Sequence, residues 1–168
     1  MGLVSQVFNE DILCNLSGNI AIGHNRYSTT GSSRLANAQP ILADSPIGPI
    51  ALGHNGNIVN AADLRQELEQ QGFTFRSSTD SEVIAYLIAS APGRDCVEKI
   101  RYAMHRLKGA YSLVIMTRDS LVGVRDPLGV RPLCLGTIDG GWAIASESCA
   151  LDHIGAKYVR EVEPGEIT

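Results

Sequence analysis

Three helix-like stretches follow one another between residues 60 and 109, and the strand-like runs lie before and after them. That order constrains the fold more than any other feature. A doubly wound nucleotide fold alternates strand and helix along the chain, whereas strands first, helices in the middle and strands last is the α+β order. Asn60 is placed to cap the first helix, with Asp63 in its first turn and Ala61, Leu64 and Leu68 on one face before Gly72. Thr79 or Asp80 caps the second, which carries Val83, Ile84, Leu87 and Ile88 and stops at Pro92-Gly93. The third runs from near Asp95 to about Leu107, with Val97, Ile100, Met104 and Leu107 spaced by three and four, and ends before Gly109. Each has one apolar face, so all three are expected to cover a sheet.

Short apolar runs at 3–8, 20–24 and 49–54 read as strands because they stop at Gly, His or Asn instead of continuing at helical spacing. Between them, 29–49 is rich in Ser, Gly, Pro and Asn and reads as a long loop with little regular structure, a length that usually serves function. After the helices, 110–117 and 120–124 are expected to pair through Arg118-Asp119, and 131–136 with 141–146 through Asp139-Gly140-Gly141. A short helix near 149–154 and a strand near 157–162 complete the pattern.

A chain of 168 residues, 44% apolar and 19% charged, is an ordinary globule of one domain. Its net charge of −4, with scattered Lys and Arg, argues against a nucleic-acid surface. No apolar run approaches the ~20 residues of a membrane helix and the first residues lack a signal-peptide pattern, so the cytosol is expected. Cys14, Cys96, Cys134 and Cys149 form no C-x-x-C pair, so neither zinc nor a disulfide framework is indicated; reduced thiols are expected, the last three as small core residues. No catalytic metal is expected, since His105 and His153 have no companion at ligand spacing.

Three polar clusters stand at loop-like points: Arg26-Tyr27-Ser28-Thr29, His54-Asn55-Gly56-Asn57 and Ser78-Thr79-Asp80-Ser81-Glu82. They supply a fixed cation, an amide beside a flexible backbone N–H, and a carboxylate. Those groups suit a zwitterionic amino acid whose side-chain amide is attacked, because a guanidinium grips a carboxylate bidentately and an amide plus a backbone N–H can hold an oxyanion. Each has a plainer reading alone: Arg26 a surface ion pair, Thr29 a turn hydroxyl, Asn55-Gly56 a β-turn, Asp80 an N-cap.

These clusters, together with Arg125-Asp126-Pro127-Leu128-Gly129-Val130-Arg131-Pro132-Leu133, Ala145-Ser146-Glu147-Ser148-Cys149-Ala150 and Glu161-Val162-Glu163-Pro164-Gly165-Glu166, resemble the class II glutamine amidotransferase domain of the amidophosphoribosyltransferase family over essentially all of 1–168. The resemblance implies a four-layer αββα sandwich of the N-terminal-nucleophile hydrolase type, incomplete at its N-terminus. It implies the glutaminase half of an enzyme that moves ammonia from glutamine onto phosphoribosyl pyrophosphate, the first committed step of purine biosynthesis. Asn55 and Gly56 then form the oxyanion hole, Arg26 and Thr29 bind the glutamine α-carboxylate, and Asp80 binds its α-ammonium. Arg26 and Asp80 together would read both charges of free glutamine, which a peptide-bound residue does not present. The Arg125–Leu133 stretch is either a framework loop near this site or at the face meeting the synthase domain, or a β-turn with a salt bridge.

The family nucleophile is an N-terminal cysteine whose own α-amino group acts as base. Gly2-Leu3-Val4 resembles an internal segment beyond that cysteine, so the residues here are expected to be a fragment without glutaminase activity of its own. Cys14 has no neighbouring base and no free α-amino group to activate it. The resemblance further implies L-glutamine as ligand, a phosphoribosyltransferase domain as partner, a homo-oligomer at full length, no cofactor within these residues, Mg in the missing synthase domain and, in some members, an iron–sulfur cluster. Two alternatives stay open: another class II amidotransferase, of the sugar-phosphate transaminase or asparagine synthetase type, and a non-catalytic glutamine-binding module.

Overall fold

The computed structural model describes residues 4–25 and 34–168. Two antiparallel sheets form the centre. The first has the order β1 (Ile41–Ala43), β2 (Ile50–Ile58), β3 (Gly109–Met116), β4 (Leu121–Arg125); the second runs β6 (Gly141–Ala145), β5 (Cys134–Ile138), β7 (Lys157–Glu161). Both hairpins expected after the helices are present, β3–β4 and β5–β6. The last residues return to the first sheet, where Gly123 and Thr168 exchange both backbone hydrogen bonds at 2.9 Å.

Side-chain alternation along the strands separates four layers. Tyr111, Leu113 and Ile115 point from β3 into a core shared with α3 (Ala61–Gln70), α4 (Asp80–Ser90) and α5 (Cys96–Arg106). Val114, on the opposite face, packs against Leu133, Leu135, Ile144 and Val162 of the second sheet. That sheet turns Cys134 to its far side, where Leu151 of α6 (Ser148–His153) and Ala156 cover it. Gly136 permits this last contact, since a Cβ there would lie 3.0 Å from both methyl carbons of Leu151. The order is helix, sheet, sheet, helix.

The middle helix departs from the single-faced expectation. In α4, Ser81, Glu82, Val83, Ile84, Ala85, Leu87, Ile88 and Ala89 are all buried, because the helix lies on the first sheet with α3 and α5 on either side. Its N-cap is Thr79, whose hydroxyl accepts from the Glu82 N–H. The Glu82 carboxylate reaches back to the N–H groups of Arg76 and Ser77 at 2.9 and 2.7 Å, fastening the preceding loop. At the other end, buried Lys99 donates to the carbonyls of Ala89 and Ala91 and so satisfies the last turn.

Several expectations are corrected. Residues 4–7 form the short helix α1 (Val4–Val7), not a strand, since Val4, Val7 and Phe8 recur at three and four; Asn9 then caps α2 (Glu10–Cys14) by accepting from Ile12. Residues 20–24 hold no regular element: His24 instead ties the segment to β2 by donating to the His54 carbonyl at 2.9 Å. The supposed loop 29–49 contains a 3₁₀ turn (Leu35–Asn37) and β1 within its described part. Asn60 occupies the cap position of α3 but its amide bridges the Arg106 carbonyl and the Lys108 N–H, pinning α3 to the entry of β3. The strand expected over 131–136 begins at Cys134, because Asp126 and Arg125 hold 126–131 as a loop. Cys149 is exposed and Cys96 only half-buried, so of the four free cysteines Cys134 alone fits the core reading.

The loop joining the two sheets is built on two buried charged residues. The Asp126 carboxylate accepts from the backbone N–H groups of Leu128, Val130, Arg131 and Tyr111 at 2.9 to 3.3 Å. Arg125 donates to the carbonyls of Gly129, Arg131 and Val162 and to the Glu161 carboxylate. Both readings of this stretch therefore meet: a turn with a salt bridge, and a framework loop. Replacing Asp126 with Ala leaves buried backbone donors unpaired at roughly 1–3 kcal/mol each. Asp126→Ala is expected to lower unfolding free energy by at least about 3 kcal/mol in urea titration; a loss below about 1 kcal/mol would show that the loop is held by other contacts.

Candidate functional site

Among the described residues the outer edge of β2 has no strand partner beyond Leu52, because β1 pairs only Ile50, Ala51 and Leu52. A side chain continues the ladder. The Gln39 amide accepts from the His54 N–H at 2.7 Å and donates to the His54 carbonyl at 3.3 Å, the two bonds a neighbouring strand would make. Further along, Asp80 Oδ2 accepts from the Ile58 N–H at 3.2 Å. Backbone groups in a strand alternate between its two edges, so those of Gly56 face the same edge, between Gln39 and Asp80. No described residue closes that gap.

Gly56 is required there by its other neighbour. Its φ is +150°, and a Cβ would stand 2.1 Å from the Ala110 carbonyl oxygen and 2.7 Å from the Tyr111 Cα on β3. The Asn-Gly dipeptide is therefore not a turn: it lies within a nine-residue strand. Asn55 has the opposite orientation, its backbone paired with Ser112 and its side chain on the face toward the second sheet.

Asn55, Gly56 and Asp80 line one cleft of about 620 Å³. Its walls include Asn25, Gln39, Asn57, Ser81, Ser112 and Arg131, and it runs from the N-terminus of α4 into the space between the sheets at Leu133 and Ile144. The structure brings Asn55, Gly56 and Asp80, singled out in the sequence, to this one cleft. Arg26 and Thr29 lie outside the described residues, although Ile22 to Asn25 line the cleft immediately before them. None of the four cysteines lines it. Among the described residues no cluster of three or more His, Cys, Asp or Glu forms a metal centre. No helix among them is long and apolar enough to cross a membrane.

The electrostatics of the cleft rest on His54. It is 4% exposed, and its Nδ1 shares a hydrogen bond with Ser81 Oγ at 3.1 Å and lies 3.7 Å from Asp80 Oδ1. Burial pushes the imidazole down to about 4; Asp80 opposes this, and His24 and Arg131 add to it. His54 is thus a neutral spacer between β2 and α4. Asp80, in the first turn of α4, keeps its carboxylate beside the positive end of the helix dipole.

Sequence reasoning missed Gln39, and Ser81 was noted within its cluster without a role. Gln39 sits in an irregular segment with no periodicity, and only the fold reveals that its amide stands in for a strand. Arg131 was noted within its motif, but its position over the cleft follows from the Asp126 loop.

Residues 24–153 match the family model described as the glutamine amidotransferase domain. The chain belongs to that family. It is 53% identical to an amidophosphoribosyltransferase of Synechococcus elongatus over 99% of its own length and 35% of the relative's, and 50% identical to one from Methanocaldococcus jannaschii over 99% and 36%. It superposes on a solved B. subtilis glutamine phosphoribosylpyrophosphate amidotransferase, complexed with ADP and GMP, with a TM-score of 0.90 at 44% identity, and on a structure described as the allosteric regulatory enzyme of purine biosynthesis with 0.92 at 45%. Each superposition covers 99% of this chain and 36% of the solved one. The chain therefore spans about a third of the length of the relatives it matches, and its four layers are those of the N-terminal-nucleophile hydrolase fold.

The depressed pKa of His54 makes the stability of the fold depend on pH. Its folded value lies below the unfolded one, so the unfolded chain binds the extra proton between pH 6.5 and about 4 and stability falls as pH falls through that window. About 2 kcal/mol should be lost between pH 7 and pH 5 through this group. Replacing His54 with Leu should flatten the pH dependence of unfolding by that amount; an unchanged slope would mean that the imidazole is not held neutral.

Proposed function

We propose that this chain holds glutamine and releases ammonia from it as the glutaminase part of a longer amidophosphoribosyltransferase. The observation that carries the reading is the open stretch of β2 edge: the Gly56 N–H, flanked by the Asn55 amide on one side and the Asp80 carboxylate on the other, faces one cleft. An oxyanion needs converging donors fixed before the reaction, and an amide side chain with an adjacent strand N–H meets that need without reorganisation. In this reading Asn55 and Gly56 stabilise the tetrahedral intermediate and Asp80 takes the substrate α-ammonium. Arg26 and Thr29 take the α-carboxylate.

Asp80 serves both purposes assigned to it. Oδ2 is committed to the Ile58 N–H and so fixes the end of β2, while the carboxylate as a whole remains partly accessible, its side chain 18% exposed. The thiol that attacks the amide is proposed to come from a part of the longer protein outside these 168 residues, since Cys14, Cys96, Cys134 and Cys149 all stand away from the cleft. The same observation favours the second reading, a glutamine-binding module without catalysis, should that thiol be lacking. In the first reading the ammonia passes to a phosphoribosyltransferase domain, where Mg belongs with phosphoribosyl pyrophosphate, and the full-length protein is proposed to be a cytoplasmic homo-oligomer.

Asn55→Ala in the full-length protein is expected to lower kcat for glutamine hydrolysis by about 10²- to 10³-fold with KM changed far less, read by glutamate release. Equal loss in kcat and gain in KM would remove Asn55 from the oxyanion site. Asp80→Asn is expected to raise the KM for glutamine by about tenfold or more while synthesis driven by free ammonia continues; parallel loss of both activities would contradict its assignment to the ammonium group. Complete absence of glutamine hydrolysis in the unaltered full-length protein, with glutamine still bound in calorimetry, would select the module reading.

A further inference from the structure

The three polar atoms around the open β2 edge are not held equally. Asp80 fixes the far side at Ile58 and is itself part of the proposed substrate site. On the near side the His54 carbonyl is shared with His24 Nε2 at 2.9 Å, while among the described residues only Gln39 holds the His54 N–H; its amide makes three contacts: His54 N–H to Oε1 at 2.7 Å, Nε2 to the His54 carbonyl at 3.3 Å, and Nε2 to Ser81 Oγ at 3.1 Å. His54 immediately precedes Asn55, so any rotation of the His54 peptide groups turns the Asn55 side chain and the Gly56 N–H together. β1 cannot restrain that rotation, since its pairing stops at Leu52. On the other edge β3 holds the backbone of Asn55 opposite Ser112 and so restrains the peptide planes on either side of it, and Gln39 supplies the matching restraint from the outer edge.

We propose that Gln39 is a positioning residue for the oxyanion site: its amide replaces a missing strand at His54 and thereby aims the Asn55 amide and the Gly56 N–H. The inference rests on the glutaminase reading above. A primary amide suits the task because it alone among side chains offers one donor and one acceptor in the plane and spacing of a peptide group. A carboxylate would repel the His54 carbonyl, and an aliphatic side chain would leave the His54 N–H unpaired and its carbonyl to His24. The contact to Ser81 adds a tie to the first turn of α4, so the oxyanion donors and the α-ammonium site share one reference point.

Aim matters more in the transition state than in the ground state, because the oxyanion forms only during attack and its donors must already be in place. Loss of Gln39 should therefore act on kcat and spare ground-state binding of glutamine. The test uses the full-length protein with Gln39→Leu and Gln39→Glu. Three measurements are made: kcat and KM for glutamine, inhibition by glutamate γ-semialdehyde, and inhibition by glutamate. The aldehyde forms a thiohemiacetal with the attacking thiol and so places an oxygen where the oxyanion stands, whereas glutamate tests only the α-groups and the carboxylate.

Gln39→Leu is expected to lower kcat about tenfold or more and to weaken the aldehyde to a similar degree, with KM and glutamate inhibition held within about twofold. Gln39→Glu separates aim from mere folding. Once protonated, its carboxyl again offers a donor and an acceptor, so the ratio of its kcat to that of the unaltered protein should rise as pH falls from about 8 to about 5. Unchanged kcat in Gln39→Leu, or equal weakening of aldehyde and glutamate in either variant, would overturn the proposal, and so would a flat kcat ratio for Gln39→Glu. A full-length protein that hydrolyses no glutamine before substitution would instead refute the glutaminase reading, which keeps the two failures apart.

Discussion

A strand edge that, among the described residues, is only partly paired is the constraint on which the rest of this structure depends. β2 is covered by β3, but its pairing with β1 stops at Leu52, and the described remainder of that edge is met by side chains, Gln39 and His24 at His54 and Asp80 at Ile58. Unsatisfied backbone groups in a buried setting are costly, so such a gap persists only where something else is meant to occupy it. Here it leaves the N–H of Gly56 directed into a cleft whose other walls carry an amide, a carboxylate and a guanidinium. The glycine has a separate reason, since the close approach of β3 at Ala110 excludes any side chain at that point.

The cleft stays open because the two sheets are joined by a loop with its own internal support. Asp126 gathers four backbone N–H groups and Arg125 three carbonyls, so 126–131 is rigid without belonging to either sheet. That rigidity sets the spacing at which Val114 meets Leu133 and Ile144, and it suspends Arg131 over the cleft. On the helical side the buried α4 is the counterpart: its capped start presents Asp80 and Ser81 to β2, and its apolar body fills the core beneath. Loop, strand edge and helix start therefore meet at one place from three different layers.

Much of this was legible in the residues. The α+β order, the three central helices to within a residue or two, and both later hairpins followed from apolar spacing and turn chemistry, although α4 is buried on more than the one face expected. The clusters around Asn55 and Asp80 were also legible, and the fold brings them to one cleft. The failures have a common cause. Residues 4–7 and 20–24 are short apolar runs with few neighbours, where local spacing does not distinguish strand from helix or from irregular chain. Asn60 has the right type and place for a helix cap, yet a tertiary partner at Arg106 and Lys108 takes its amide. Cys149 lies in a helical pattern whose far side faces solvent.

What the sequence determined by itself was which groups are present and on which kind of element: one amide beside a glycine, one carboxylate at a helix start, and an alternation that divides each strand between two layers. Those are local facts, set by side-chain chemistry and by the periods of helix and strand. Only the tertiary structure decided that Asn-Gly lies within a strand and not at a turn, that Gln39 substitutes for backbone, and that His54 is buried deeply enough to remain neutral. Each of these depends on what lies across a gap from residues distant in the chain, and no local preference encodes the far side of a gap.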